Sequence, residues 1–412
     1  MRFILSMAWR NIGRNRRRTL LAVISVTLSI MLIVFMKAFV SGFVDSMVRN
    51  YTRSESGHIR IVNKQFADRA KLLPVTRNVP APDSIIIQLR NNPEIGPRIT
   101  FAAERYLFGV LLNHKGNNKP AMAIAGDPQK ERELSMLYKS LLPGGTYGDG
   151  EREMIMGAKL AGILDYKVKD TVRVLCNGAD GALRLRKFVL TGLFQTSINV
   201  MDERFFQIGI SDARKLLRTG SDAQQIVLFI DNYRDAAEVA DKVRTSLNDT
   251  SLVVQPWMEV GPYYQLVKLS ETVYNYFYFI IALLGAFIIS NIMMMVVLER
   301  RKEIGILKSM GMKRREILAL FLSEGVIMGT IGSISGAIMG TIVNLVLSAV
   351  GIDFSKMMSS MTLPMDNVIY PHTDILSVVQ MVCIGIAVAS LVALLPSRQA
   401  ARMDAVEAIK SV

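Results

Sequence analysis

Leu20-Leu-Ala-Val-Ile-Ser-Val-Thr-Leu-Ser-Ile-Met-Leu-Ile-Val-Phe-Met36 carries no charged residue. Lys37 follows, and Ala38-Phe-Val-Ser-Gly-Phe-Val44 then extends the run. A stretch of about 18 or more apolar residues is long enough to cross a bilayer as a helix. A lysine near the end of such a helix can carry its ammonium to the interface along its own methylenes. This stretch predicts a first membrane span over 19–44. Its basic start resembles a signal peptide, but no A-x-A cleavage pattern follows, so an uncleaved anchor is expected.

Three more apolar runs occupy 271–298, 317–350 and 375–396, the last ended by Pro396. Between the first and second runs, 45–270 reads as ordinary soluble sequence. β-rich stretches recur there: 57–62, 106–112, 121–125, 171–175, 188–193 and 226–230. Helical stretches at 156–164, 211–217 and 234–247 lie among them. The last has Ala236, Ala237, Val239, Ala240 and Val243 as its buried stripe. Clusters such as Pro143-Gly-Gly-Thr-Tyr-Gly-Asp-Gly150 mark loops. The fold class expected is four transmembrane α-helices with a large α+β domain inserted between helices 1 and 2.

The formal net charge is +14, which alone would suggest a nucleic-acid partner. Its placement argues for topology instead. The segment 1–18 holds Arg2, Arg10, Arg14, Arg16, Arg17 and Arg18. The loop 299–316 holds Arg300, Arg301, Lys302, Lys308, Lys313, Arg314 and Arg315. The tail 397–412 holds Arg398, Arg402 and Lys410, whereas the loop 351–374 has only Lys356 against Asp353, Asp366 and Asp374. Lys and Arg accumulate in short cytoplasmic loops. Both termini and the loop 299–316 are therefore expected in the cytoplasm and the inserted domain outside it. No nucleic-acid partner is expected. Within 1–18, Phe3, Ile4, Met7, Ala8 and Ile12 recur near helical spacing, predicting an amphipathic helix on the membrane surface.

Motifs for chemistry are lacking. The sequence has no G-x-x-x-x-G-K-[ST] phosphate loop, no G-x-S-x-G and no H-E-x-x-H. Cys176 and Cys383 are not expected to pair, and His58, His114 and His372 are too scattered for a metal set. No catalytic residue and no metal ligand is expected. Gly325, Gly329, Gly332, Gly336 and Gly340 form overlapping small-xxx-small pairs that let helix backbones approach closely. They suit either a mobile or dimerising face, or static packing within one subunit. Glu324, near the start of that run, needs a partner or the interface.

The loop Glu299-Arg-Arg-Lys-Glu-Ile-Gly-Ile-Leu-Lys-Ser-Met-Gly-Met-Lys-Arg-Arg-Glu-Ile317 carries most information about function. Ile304, Leu307 and Met310 form a short apolar stripe, and Gly311 can end a helix. A small amphipathic helix between two spans is suited to docking in a partner's groove.

Here the sequence resembles the FtsX-like permease family of ABC transporters, which includes the MacB-type and LolC/LolE-type permeases. The family hallmark E-R-x-x-E-I-G-x-L-x-x-x-G-x is matched by Glu299 to Gly311. Ala8-Trp-Arg-Asn-Ile-Gly-Arg-Asn-Arg-Arg-Arg-Thr-Leu20 resembles the family's leading helix. Pro396-Ser-Arg-Gln-Ala-Ala-Arg-Met-Asp-Ala405-Val-Glu-Ala-Ile409 resembles its closing motif, with Ala405 where the family usually has Pro. Ile155-Met-Gly-Ala-Lys-Leu-Ala-Gly-Ile-Leu164 and Thr191-Gly-Leu-Phe194 resemble the MacB-like periplasmic core.

The resemblance implies a transport subunit, not an enzyme, in an inner-membrane complex. A separate LolD-like ATPase would bind ATP and magnesium; this chain would hold no cofactor. The ATPase would dock on a coupling helix, with Arg301, Glu303, Ile304, Gly305, Leu307, Lys308 and Gly311 as the coupling residues. Two permease subunits, alike or different, would pair and do mechanical work outside the membrane. The layout fits the LolC/LolE type, in which lipoproteins are passed to a periplasmic carrier. Phe39, Phe43, Tyr274, Phe277 and Tyr278 would flank cargo access, although an interfacial aromatic belt accounts for part of that pattern. The alternatives are MacB-like efflux or peptide export through an outer-membrane partner, which is of the same fold, and, from another class, a non-transport regulator of cell-wall hydrolases.

Overall fold

A computed structural model describes residues 2–14, 16–114, 116–132, 136–146, 150–196, 198–261, 263–355 and 366–410. Part of the glycine-rich loop 143–150, and Lys356, lie outside them. The chain forms two compact units. One comprises Met1–Val44, Lys268–Asp353 and Val368–Val412, the other Asp45–Val267 and Phe354–Asn367.

The first unit is helical. Its leading helix is Arg2–Arg14, and four long helices follow: Arg16–Tyr51, Tyr263–Glu299, Arg314–Val350 and Ile375–Arg402. All four are long and apolar enough to cross a membrane. Their ends depart from the sequence expectation. A helix of 36 residues is about 54 Å long, well beyond a hydrocarbon core of about 30 Å. Hydropathy registers only the lipid-embedded part and is silent about the polar helical ends. The fourth helix also runs through Pro396 instead of stopping there. Proline withdraws one N–H and crowds one turn, and the helix continues to Arg402.

The glycines of the third span settle its neighbours within this unit. A Cβ on Gly325 or Gly329 would strike the methyl of Ala393 or Ala389 on the fourth span. A Cβ on Gly332 would meet Val26 Cβ at 2.5 Å, and one on Gly336 would meet the Thr27 carbonyl oxygen at 2.5 Å. At Gly340 the obstacles are the Met31 carbonyl and Val34, each at 3.0 Å. One stripe of five glycines therefore serves two partners inside the subunit. Thr27 Oγ1 donates to the Gly332 carbonyl at 3.3 Å and Asn344 Nδ2 to the Val34 carbonyl at 3.2 Å. Both bonds require this close approach. Asn291, by contrast, lies exposed on the second span.

The second unit is built on nine strands: β1 Ile59–Asn63, β2 Ile99–His114, β3 Asn117–Gly126, β4 Glu153–Gly157, β5 Thr171–Asn177, β6 Leu183–Phe194, β7 Phe205–Gly209, β8 Gln225–Ile230 and β9 Leu252–Pro256. Their order is β3-β7-β4-β6-β5-β2-β8-β1-β9, and β2 also pairs with β3. That extra pairing closes the first six strands on themselves. β2 can take three partners because it is 16 residues long: its first part lies along β8, its second along β3 and β5. The alternating burial of β5 and β6 points Val172, Val174, Phe188 and Leu190 into one core with Tyr106, Phe108 and Leu112. Helix Ala236–Leu247 buries Ala236, Val239, Ala240 and Val243 as read from the sequence, while Ala237 faces solvent. Three strands (β4, β7 and β9) go beyond the sequence expectation, and β4 occupies the start of the stretch read as helix 156–164.

His58 sits beside the end of β8. Its Nδ1 accepts the Ile230 N–H at 3.1 Å, and its ring lies 4.9 Å from that of Phe229. Burial pushes its pKa down to about 4. Its unfolded value is near 6.5. The neutral ring's contribution is therefore complete above pH 6.5 and is lost as pH falls to 4, by up to about 3 kcal/mol. Glu104 acts in the opposite sense: burial raises its pKa to about 7 despite its ion pair with Arg214. Its effect favours the folded unit as pH falls from 7 to 4.5. Hydrogen exchange of β8 between pH 7 and 5 should therefore become less acid-labile in His58→Asn than in the unsubstituted chain. Equal acid lability would contradict this assignment.

Candidate coupling site

The second long helix breaks at Arg300, whose backbone (φ −90°, ψ 15°) leaves helical geometry for one residue. A nine-residue helix, Arg301–Ser309, follows. Gly311 ends the turn with φ +93°, a conformation that favours glycine, and its surroundings are open. The third span starts when the Lys313 N–H is taken by the Glu316 carboxylate at 2.8 Å.

Ile304 and Gly305 point inward. Ile304 is 1 % exposed and shares an apolar cluster with Ile317, Phe321, Ala400 and Ala401. Lys308 also turns toward the protein. Its Nζ donates to the Ala401 carbonyl at 3.0 Å and to that of Met403, capping the fourth span. Burial and the nearby Arg314 lower its pKa from the ordinary lysine value. Leu307 is half-buried, whereas Arg301 and Gly311 are exposed. The expected stripe of Ile304, Leu307 and Met310 is thus split. Each helical residue advances by about 100°, which brings Ile306 and Met310 to one outward face beside Lys302 and Ser309. Ile306 is 51 % exposed and Met310 79 %.

Glu303 is half-exposed and paired with Arg14 of the leading helix. Arg18 pairs with Glu299 at the end of the second span. Behind them, Glu324 of the third span is buried, taking Arg300 Nη1 at 3.0 Å and Asn11 Nδ2 at 2.7 Å. Sequence reasoning recognised that Glu324 needs a partner but did not find these two.

The aromatic candidates form separate pairs. Tyr274 and Phe277 lie 6.4 Å apart between ring centres, and Phe39 is stacked on Phe35 at 6.3 Å. Phe43 and Tyr278 are half-buried, and Phe277 is exposed. On the first span Lys37 lines a cleft with Ser41, His372 and Asp374.

The chain matches two protein-family models. Residues 19–246 match the MacB-like periplasmic core domain, and residues 275–405 match the FtsX-like permease C-terminal family. The chain belongs to the FtsX-like, MacB-type permeases of ABC transporters. The permease is 26% identical to the lipoprotein-releasing system transmembrane protein LolC of Xylella fastidiosa (strain Temecula1), over 76% of this chain and 78% of that one. With LolC of Neisseria meningitidis serogroup B it shares 22% identity, covering 74% and 81%. With the pyoverdine export ATP-binding/permease protein PvdT of Pseudomonas fluorescens (strain Pf0-1) it shares 27%, covering 50% of the permease and 26% of PvdT. Permeases of this type are subunits of ATP-driven transporters rather than enzymes themselves, and they work with an ATPase.

Proposed function

We propose that this permease belongs to a lipoprotein-releasing ABC system. The observation that carries this reading is the match to two LolC proteins along most of their own lengths. The export relative is matched over a quarter of its length, which makes export the second reading.

In this reading a separate ATPase binds ATP and magnesium and docks on the helix Arg301–Ser309. The docking face is Arg301, Lys302, Ile306 and Met310, with two apolar anchors ringed by positive charge. Ile304, Gly305, Leu307 and Lys308 set the helix on the protein. Gly311 frees its end, and Glu303 ties it to the leading helix. The basic segments 1–18, 299–316 and 397–412 support cytoplasmic termini, with the second unit in the periplasm. A second permease subunit completes the transporter, and a periplasmic carrier accepts the cargo. Phe39, Phe43, Tyr274, Phe277 and Tyr278 supply apolar surface for the cargo's acyl chains.

The test is a proteoliposome holding the permease, its ATPase and an acylated lipoprotein, with a soluble carrier outside. ATP should move lipoprotein into the soluble fraction. Retention of the lipoprotein, with ATP-driven movement of a small molecule or peptide instead, would favour export. Phe277→Asp should lower release several-fold while the ATPase stays bound. Unchanged release would remove Phe277 from the cargo path.

A further inference from the structure

Arg300 is the only residue between the second span and the coupling helix, and it is 5 % exposed. A guanidinium carries five N–H donors. Its Nη1 holds Glu324 at 3.0 Å. Its Nε and Nη2 are buried with no hydrogen-bond partner among the described residues. Nε lies 3.6 Å from Glu303 Oε2, an ion-pair distance too long for a hydrogen bond. The arginine therefore sits between two carboxylates, bonded to one and facing the other.

The two carboxylates belong to different helices. Glu324 is on the third span, and it also holds Asn11 of the leading helix. Glu303 is on the coupling helix, and it also holds Arg14 of the leading helix. Arg18 pairs separately with Glu299 at the end of the second span, so the two ion-paired sets together hold three arginines and three glutamates. With carboxylates on both sides, buried Arg300 can change its partner without being left as an uncompensated buried charge. A buried donor with unfilled N–H groups has a second arrangement available that fills them.

We infer that Arg300 is a shared fork, and that closing it onto Glu303 passes a displacement of the coupling helix to the third span and the leading helix. This rests on the docking reading given above and names the residues that transmit it. Arg300, Glu303 and Glu324 are positioning residues. In the present state the fork holds Glu324. When the docked ATPase moves the coupling helix, Glu303 shifts with it, and the free Nε and Nη2 engage Glu303. The grip on Glu324 then changes, and Asn11 and the leading helix follow. Two discrete arrangements of packed groups are what turn a small shift into a transmitted one.

The test uses the full-length permease in nanodiscs with the ATPase it assembles with. Hydrogen exchange is followed with and without ATP over the coupling helix, the leading helix and residues 317–328. In the unsubstituted chain ATP should alter exchange in all three. In Glu303→Gln, Glu324→Gln and Arg300→Lys the coupling helix should keep its response, while the other two responses fall at least about fivefold. Lysine keeps the charge but lacks the planar five-donor fork that holds one carboxylate while facing another, so a purely structural cation would be replaced by it without loss. Glu303 is half-exposed, so its glutamine variant keeps the fold even where Glu324→Gln does not. Persistence of the leading-helix response in Glu303→Gln would overturn the shared fork and leave Glu324 a fixed anchor. Absence of any response at the coupling helix in the unsubstituted chain would overturn the docking reading, and the fork with it.

Discussion

A valine at Gly336 should prevent the third span from seating against the first. The added Cβ would lie 2.5 Å from the Thr27 carbonyl oxygen and 2.9 Å from Ile30 Cβ. The first obstacle is backbone in mid-helix, which no rotamer change can remove. Overpacking a well-filled core costs about 1–3 kcal/mol, and more where backbone must move. Separating the helices would also lengthen the bonds from Thr27 to Gly332 and from Asn344 to Val34. The expected outcome is a loss of about 3 kcal/mol or more, seen as a collapse of monodisperse yield and of the melting temperature in detergent. Gly13→Val is the control, since nothing lies within 4 Å of a Cβ there. A Gly336→Val protein as stable as that control would show that the five glycines do not set the helix spacing.

The second large effect concerns the outward face of the coupling helix. Ile306→Asp with Met310→Asp should abolish ATPase association while the permease stays folded. Burying one such side chain at an interface contributes about 1.5–3 kcal/mol. Losing both should weaken binding by about 10²–10⁴-fold. Ile304→Asp should behave differently. Its side chain is packed among Ile317, Phe321 and Ala400, so the substitution should destabilise the permease itself. Size-exclusion profiles and ATPase co-elution separate the two results. Equal ATPase binding by the double variant would place the docking face elsewhere.

The four spans were legible because an uncharged apolar run of bilayer length is hard to place anywhere but in a lipid core. Their true ends were not, because helix continues into polar sequence that looks like loop. Arg16–Tyr51 and Tyr263–Glu299 each overrun the apolar window, and Pro396 looks like a stop although the helix passes through it. In the second unit, β5 and β6 showed the alternation of half-buried strands. β7 has no such alternation, being a short buried segment defined by distant neighbours. At the coupling helix the hallmark located the element, but spacing alone could not tell Ile304 from Ile306. That choice depends on where the fourth span ends. Glu324's partners were hidden for the same reason: Asn11 lies 313 positions away, and only the packed fold brings it to 2.7 Å.

Everything proposed for the coupling site depends on an ATPase docking at the helix Arg301–Ser309. Met310→Cys carrying a photo-crosslinker tests this most directly in native membranes, with Gly13→Cys labelled in parallel. The crosslinked partner is then probed with a photoreactive ATP analogue. The predicted result is one nucleotide-labelled chain, of ATPase activity, captured from position 310 and absent from position 13. No nucleotide-labelled partner at position 310, in membranes where the permease is folded and abundant, would contradict it.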